Sequence, residues 1–350
     1  NASIPAVGSI TPAGIVLLAG LVTVADWIAS NEAWFPFTSH VDDPNTHFGL
    51  AIRRAEKALN SIGWFCWRSV ERQGFVHAFG REPNSLQQEV EGVADELNEP
   101  TLAVVEAPPG HGKTEAGLYL AMKLVERCGH RGVIVALPTQ ATANQMLGRI
   151  KEFLKNNSRI PNPVLQLLHS SALLNESFIE LLERGRELLP SDSEDLDNET
   201  TVVAGEWFTG PKRGLLASFG VGTIDQVLLA ALRTKHVFVR QMALANKVVI
   251  VDEVHAYDPY MLGLLERAIE WLAAHGSSVL LMSATLPTER RARLIDAYNR
   301  GRKVEAPAPR GEALGAVVTW ATRSGAESRT FIPAPRKAIG IRWIDGRLKD

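Results

Sequence analysis

Val104 to Thr114 reads V-V-E-A-P-P-G-H-G-K-T, and this stretch decides the fold. A short apolar run ends in a Pro/Gly-rich turn. Gly112-Lys113-Thr114 follow, and a helical pattern continues from Glu115 to Arg127. Strand, loop and helix in that order make a cradle for polyphosphate. Glycines let backbone N–H groups turn toward oxyanions, and the helix N-terminus adds partial positive charge. Lys113 can reach the β- and γ-phosphates, and the Thr114 hydroxyl can ligate Mg²⁺. Pro109, Gly110, His111 and Gly112 would line the same loop, with no specific role attached to the His111 side chain. By itself the stretch also fits a Gly-rich turn that binds nothing.

The chain has 350 residues, room for two domains or for one large domain with an appendage. Apolar residues make up 45%, enough for a sizeable core. Basic side chains number 37 and acidic ones 39, for a net charge of −2. That excludes a strongly basic nucleic-acid sponge, so any DNA contact comes from a local groove. Cys66 and Cys128 are far apart and in no ligand spacing, which implies neither a disulfide framework nor a zinc cluster and fits a cytoplasmic protein. The longest apolar run, Ile15 to Ala25, is shorter than the ~20 residues a bilayer takes. The first basic residue is Arg53, so no charged segment of a signal peptide precedes that run, and no membrane partner is expected. The chain opens at Asn1 without methionine, which predicts a fragment.

Thr11 to Ser30 has a helical pattern, with Ile15, Leu18, Ala19, Val22 and Ala29 on one face. Asp26 shares that stripe. A carboxylate there is costly unless a cation, metal or donor meets it; the other reading is a frayed helix end facing water. Residues 31–45 read as loop, and a second helix runs from about Phe48 to Ile62, ended by Gly63. Trp64, Phe65 and Trp67 then form an aromatic cluster, read as core or domain contact over base-stacking platform.

From Leu86 onward strands and helices alternate. Strands are predicted at 102–106, 132–137, 164–168, 201–204, 220–224, 247–251 and 278–282. Helices are predicted at 86–97, 112–127, 140–155, 176–188, 225–233, 259–274 and 288–299. Apolar strands without alternation, separated by helices, predict an α/β parallel sheet covered on both faces. Ser191 to Thr200 reads as an acidic loop. Beyond Gly301 the signal weakens, with candidate strands at 316–320 and 338–343 leading toward another domain.

Lys247 to His255 reads K-V-V-I-V-D-E-V-H. A buried strand there would deliver Asp252 and Glu253 at its C-terminal end, where parallel sheets place ligands. Asp252 would hold Mg²⁺, and Glu253 would polarise the water that attacks the γ-phosphate. Ser283-Ala284-Thr285 leaves another strand at the same edge. Its hydroxyls could link the acids to a second lobe, with His255 as the connection; alone, the tripeptide is only a polar strand exit. Thr139-Gln140 and Thr223 to Gln226 put N–H groups and hydroxyls at helix starts, suited to nucleic-acid phosphates or to ordinary capping.

In order, A-P-P-G-H-G-K-T, P-T-Q, G-T-I-D-Q, D-E-V-H and S-A-T resemble the motifs of a superfamily 2 helicase. Ala107 departs from the strict glycine at that position, a substitution common in helicase-type members. The flanking D-E-V-H-A-Y-D (252–258), G-V-G-T-I-D-Q (220–226) and E-W-F-T-G-P-K-R-G-L-L (206–216) narrow the likeness. They resemble the CRISPR-associated helicase-nuclease of type I interference systems, subtype I-E in particular. G-L-V-T-V-A-D-W-I-A-S-N (20–31) resembles the last helix of that family's HD nuclease domain.

The resemblance implies an HD-domain remnant over 1–48, a helical connector over 49–85, a first RecA-like lobe over 86–300, and over 301–350 a link to, or start of, a second lobe. By residue, it implies that Gln87 reads adenine, that Lys113 and Thr114 serve phosphate and Mg²⁺, and that Asp252 and Glu253 are the metal and water-activating acids. Thr139, Gln140, Thr223 and Gln226 would touch single-stranded DNA. Asp26 would complete a nuclease site for a divalent transition metal. The implied protein is an ATP-driven single-stranded DNA translocase and nuclease that acts with an RNA-guided surveillance complex. The other motifs of an HD site, and the second lobe with its arginine finger, are not in this sequence, so this piece is expected to bind ATP and hydrolyse it poorly. Two other readings stand beside it: an unrelated superfamily 2 helicase, acting on RNA or DNA, and a nucleotide-switched docking module.

Overall fold

Leu102 to Val105 are wholly buried, and alternate residues face opposite cores: Ala103 and Val105 one, Leu102 and Val104 the other. A strand buried on both faces reads as a continuous apolar run. It is the first strand of an eight-stranded sheet in this computed structural model, which describes residues 10–37, 43–70, 74–189, 200–210, 212–306, 308 and 316–332.

Before the sheet come α1 (Pro12–Ala29), α2 (Pro44–Ile62), α3 (Phe75–Phe79) and α4 (Ser85–Glu96). Then β1 (Leu102–Glu106), α5 (Lys113–Cys128), β2 (Val133–Leu137), α6 (Gln140–Asn157), β3 (Leu165–Leu168) and α7 (Glu176–Leu188) follow. β4 (Phe219–Thr223), α8 (Asp225–Leu228), α9 (Val237–Leu244), β5 (Val248–Val251), α10 (Pro259–Ala274), β6 (Ser278–Ser283) and α11 (Thr288–Arg302) continue it, and a hairpin of β7 (Ala316–Thr322) and β8 (Gly325–Phe331) ends it. The strand order is β3-β4-β2-β5-β6-β1-β7-β8. The strands from β3 to β1 are parallel, and their C-terminal ends share one edge.

Helices cover both faces, as the apolar strands require, and the α/β, RecA-like expectation holds. One edge departs from an all-parallel sheet: β7 runs antiparallel to β1, and β8 antiparallel to β7. A hairpin needs no crossover helix, and Val318 and Trp320 bury themselves in the same core as Ala103. Residues 316–331, expected in a link to a second lobe or its start, thus extend this one sheet.

Other expectations need correction. Residues 201–204 make no strand, only a bridge from Val203 to Val164, because Ala204 N–H turns to the Leu181 carbonyl of α7. The helix expected over 225–233 tightens after Leu228 into i→i−3 bonds from Ala230 and Ala231. α9 was not expected. The candidate strand at 338–343 lies outside the described residues, as does nearly all of the 191–200 loop.

α1 reverses the predicted face. Ile15, Leu18, Val22 and Asp26 are exposed, whereas Gly20, Val24 and Ile28 are buried. The helix is apolar on most sides, so periodicity chose the wrong stripe. Gly20 fixes the docking: a Cβ there would lie 2.6 Å from Met242 Cβ and 2.7 Å from the Phe238 carbonyl of α9. At 18 residues and a mean hydropathy of 1.8, α1 is long and apolar enough to cross a membrane by length and composition, which the shorter 15–25 run did not suggest. Here its packed side rests on α9. Two of the three aromatics are packed inward: buried Trp67 meets Phe219 edge-on at 4.9 Å, and partly buried Trp64 donates its Nε1 to the Leu216 carbonyl at 2.9 Å, whereas Phe65 is exposed.

Candidate nucleotide site

The phosphate loop leaves β1 at the sheet's C-terminal edge and delivers Lys113 to the start of α5. Gly110 and Gly112 sit at φ +80° and +76°, a region that side chains resist. At Gly112 there is no space either, since a Cβ would lie 2.4 Å from Gln87 Nε2. Lys113 is buried, and its Nζ donates to the carbonyls of Ala107 (2.8 Å) and Pro108 (3.4 Å). Burial pushes its ammonium pKa down, against the opposing pull of Glu253 and Asp252.

Gln87 belongs to α4, which is bound to the loop. Asn84 and Gln87 cap each other reciprocally: Asn84 Oδ1 accepts from Gln87 N–H, and Gln87 Oε1 from Asn84 N–H, both at 3.0 Å. Asn84 Nδ2 donates to the His111 carbonyl (3.0 Å) and Gln87 Nε2 to the Gly112 carbonyl (3.4 Å). One pair of amides therefore starts a helix and pins the loop.

The acidic pair arrives from β5. Asp252 is nearly buried; its Oδ1 accepts from Glu253 N–H at 2.8 Å, and Tyr257 O–H donates to its carbonyl at 2.9 Å. Burial, first of all, pushes the Asp252 carboxyl above the ordinary carboxylate range. Glu253 adds to that, while the Glu253 N–H bond, Lys113 and Arg149 counter it. Glu253 holds a left-handed backbone, φ 55°, uncommon for a non-glycine and characteristic of strained functional turns. Loop and Glu253 meet in one cavity of about 440 Å³, lined by Gln87, Pro109 to Thr114 without His111, and Glu253, among others; Asp252, nearly buried, does not line it.

β6 adds the third segment. Its register opposite β1 pairs Glu106 with Ser283. His255 Nδ1 lies 3.3 Å from Glu253 Oε2, from Ser283 Oγ and from Ala284 N, while Ser283 Oγ donates to the Thr285 carbonyl at 2.7 Å. Of the expected grouping, His255 contacts Ser283 and Glu253, and Thr285 joins through its backbone oxygen.

Thr223 ends β4, and Thr139, the N-cap of α6, follows two residues after the end of neighbouring β2 at the same edge. Thr139 Oγ1 accepts from Thr142 N–H in a capping box, and Gln140 Nε2 donates to Ser170 Oγ at 3.2 Å. Thr223 is buried, and Gln226 Oε1 accepts from Arg240 at 3.0 Å, so of the four only Thr139 and Gln140 are exposed. Asp26 is apart from all of this. Among the described residues no three His, Cys, Asp or Glu groups converge, so the metal partners expected around Asp26 are not among them.

A DEAD/DEAH box helicase family model matches residues 87–172, and a Cas3 HD-domain model matches residues 2–35. Over 345 residues the chain is 41% identical to the CRISPR-associated endonuclease/helicase Cas3 of Thermus thermophilus, covering 96% of this chain and 36% of that protein. The chain belongs to the Cas3 family. The Escherichia coli Cas3 is 36% identical over 313 residues, 83% of this chain and 33% of that protein. The crystal structure of T. fusca Cas3-AMPPNP superposes with a TM-score of 0.81 at 33% identity, over 93% of this chain and 37% of that one. A chain of an RNA-guided surveillance complex in a pre-nicking state matches with a TM-score of 0.65 at 29% identity, over 97% and 35%. The chain spans about a third of the length of these Cas3 relatives.

For a Cas3 chain, the donor set fits a magnesium nucleotide: inward-turned glycine backbone, one buried ammonium, one hydroxyl and two carboxylates. It does not by itself fit a metal at Asp26. Motif reading missed the residues that brace the site, Glu106, Arg291, Arg81 and Arg149. Glu115, directly after Thr114, was the available signal, since an acid half-buried beside a phosphate loop asks for a cation.

Proposed function

We propose that this chain is the first motor lobe, with the adjoining end of an HD nuclease domain, of an ATP-driven single-stranded DNA translocase and nuclease acting in CRISPR interference in the cytoplasm. The observation that carries this is the cavity that the phosphate loop shares with Glu253, with Asp252 next to it in the chain and the charges of both acids acting on Lys113.

Lys113 would trade its two carbonyl acceptors for phosphate oxygens, which costs little because the exchange swaps one set of hydrogen bonds for a charge-assisted set. Thr114 and Asp252 would hold Mg²⁺, which when bound supplies charge neutralisation at the phosphates. Gln87 would present its amide to the adenine, and Pro109 to Gly112 would wrap the phosphate tail. Glu253 would orient the attacking water and hold its proton. His255, touching both Glu253 and Ser283, would relay DNA engagement to that acid. Thr139 and Gln140 would meet the strand's phosphates directly, with Thr223 and Gln226 shaping the ground beneath. Asp26 would serve the nuclease metal together with ligands from the rest of its domain. The RNA-guided surveillance complex is the proposed partner that delivers opened DNA.

The deciding experiment measures ATP turnover by the full-length protein with single-stranded DNA or RNA, beside Lys113→Ala. Turnover stimulated by DNA and abolished in the variant supports the reading. Stimulation by RNA and not DNA would point to an unrelated superfamily 2 helicase, and unwinding that survives the loss of ATP binding would point to a docking module. The 350-residue piece is expected to bind ATP with little turnover, because an arginine finger of the kind a second lobe brings is worth roughly 10³–10⁵ in rate.

A further inference from the structure

The cavity holds an arginine that phosphate-loop patterns do not include. Arg149 comes from α6, and its side chain is half exposed. Its Nη1 donates to Thr114 Oγ1 at 3.3 Å and its Nη2 to Glu115 Oε1 at 2.7 Å. Arg81 Nη2 lies 3.1 Å from the same Glu115 oxygen. Arg149 is thus a cation tethered to the Glu115 carboxylate by one arm, with its other arm on the Thr114 hydroxyl. Its charge also reaches Asp252.

That hydroxyl is the one the functional reading gives to magnesium. Mg²⁺ binds oxygen at about 2.0–2.1 Å and demands near-ideal octahedral geometry. A guanidinium donating to the same oxygen takes one of its two lone pairs and sets a like charge a few ångströms from the ion. Glu115 offsets only part of that charge, because it also serves Arg81. We propose that Arg149 competes with magnesium for the Thr114 hydroxyl, so that this arginine sets how much magnesium the nucleotide site requires. The proposal rests on the reading of the cavity as a nucleotide site.

The test is binding, not turnover. A fluorescent non-hydrolysable ATP analogue is bound to the full-length protein, and free Mg²⁺ is titrated to find its half-saturating concentration. In Arg149→Ala that concentration should fall roughly three- to tenfold, the effect of losing one competing hydrogen bond of ordinary strength, since water screens the half-exposed guanidinium. Arg149→Lys keeps the charge but cannot donate to Thr114 and Glu115 in one fork, so it should fall between wild type and Arg149→Ala. A half-saturating concentration that stays the same or rises in both variants overturns the proposal. Lys113→Ala separates the two layers. Should it leave analogue binding intact, the nucleotide reading itself fails; should it abolish binding while Arg149→Ala leaves the magnesium requirement unchanged, only the competition is wrong.

Discussion

Glu106 and Arg291 form a buried ion pair, 2.7 Å between Oε2 and Nη1, immediately before the phosphate loop. The second Glu106 oxygen accepts from Leu286 N–H at 2.8 Å, and Ala107 N–H donates to the Ser283 carbonyl at 3.1 Å. The strand that launches the loop is therefore locked to the segment that leaves β6. Breaking such a pair strands a charge in the core and costs about 3–5 kcal/mol. Glu106→Gln and Arg291→Met should each lose stability on that scale in urea denaturation. The double variant Glu106→Leu/Arg291→Met should be more stable than either single one. Single variants within about 0.5 kcal/mol of wild type would show that the pair is solvated.

Asp252 predicts a trade between stability and function. Burial holds its carboxyl above the ordinary value of 3.8. The fold thus prefers the protonated form. The stability this gives is complete below the unfolded pKa and is lost as pH rises through the folded one. At neutral pH the ionised carboxylate strains the fold, and Asp252→Asn removes the charge while its Oδ1 can still accept from Glu253 N–H. Melting temperature at neutral pH should rise by about 2–4 °C for each 1 kcal/mol relieved, and the gain should shrink as pH enters the carboxylate range. ATP turnover should fall in the same variant. A lower melting temperature at neutral pH would contradict this account.

The strand-loop-helix over 102–128, the placing of Asp252 and Glu253 at the end of β5, and the sheet around them were legible because each is a local pattern: an apolar run, then turn or acidic residues at its end. Residues that brace them were not, since Arg149 meets Thr114 and Arg291 meets Glu106 only through tertiary packing. The α1 face was misread because that helix offers apolar side chains on nearly every side, so period alone could not choose. The 201–204 segment looks like a strand by composition, but its buried N–H groups find partners elsewhere. Gln87 shows a subtler loss. The resemblance implied one role for it, toward adenine; in the structure its amide closes a capping box and holds Gly112.

His255 should matter to coupling and not to binding. Its Nδ1 contacts Glu253, Ser283 and Ala284 at 3.3 Å each, while the residue is exposed and, among the described residues, bonds to none of 107–114. His255→Ala should leave nucleotide affinity within about twofold of wild type. The DNA-stimulated part of turnover by the full-length protein should drop by about 2–30-fold, the range of coupling energies carried by linking residues. Loss of nucleotide affinity instead would place His255 in the binding set.

Acid should loosen this fold before carboxylates protonate, and His275 is the reason. It caps α10, stacks on Trp271 with ring centroids 5.6 Å apart, and its Nε2 lies 3.2 Å from Gln241 Oε1. Burial depresses its pKa from 6.5 to about 4. A depressed pKa contributes stability that is present above the unfolded value and is lost as pH falls through the folded one. The window is therefore pH 6.5 down to about 4, and the most the residue can remove across it is about 3 kcal/mol. Buried His130, likewise shifted down by burial, acts in the same direction. His275→Gln cannot take up the proton, and its amide can still reach Gln241. Its urea midpoint should change less with pH across that window than that of the wild type, even if its stability at neutral pH is lower. Parallel pH profiles for the two proteins would show that His275 is charged in the fold or exposed to water.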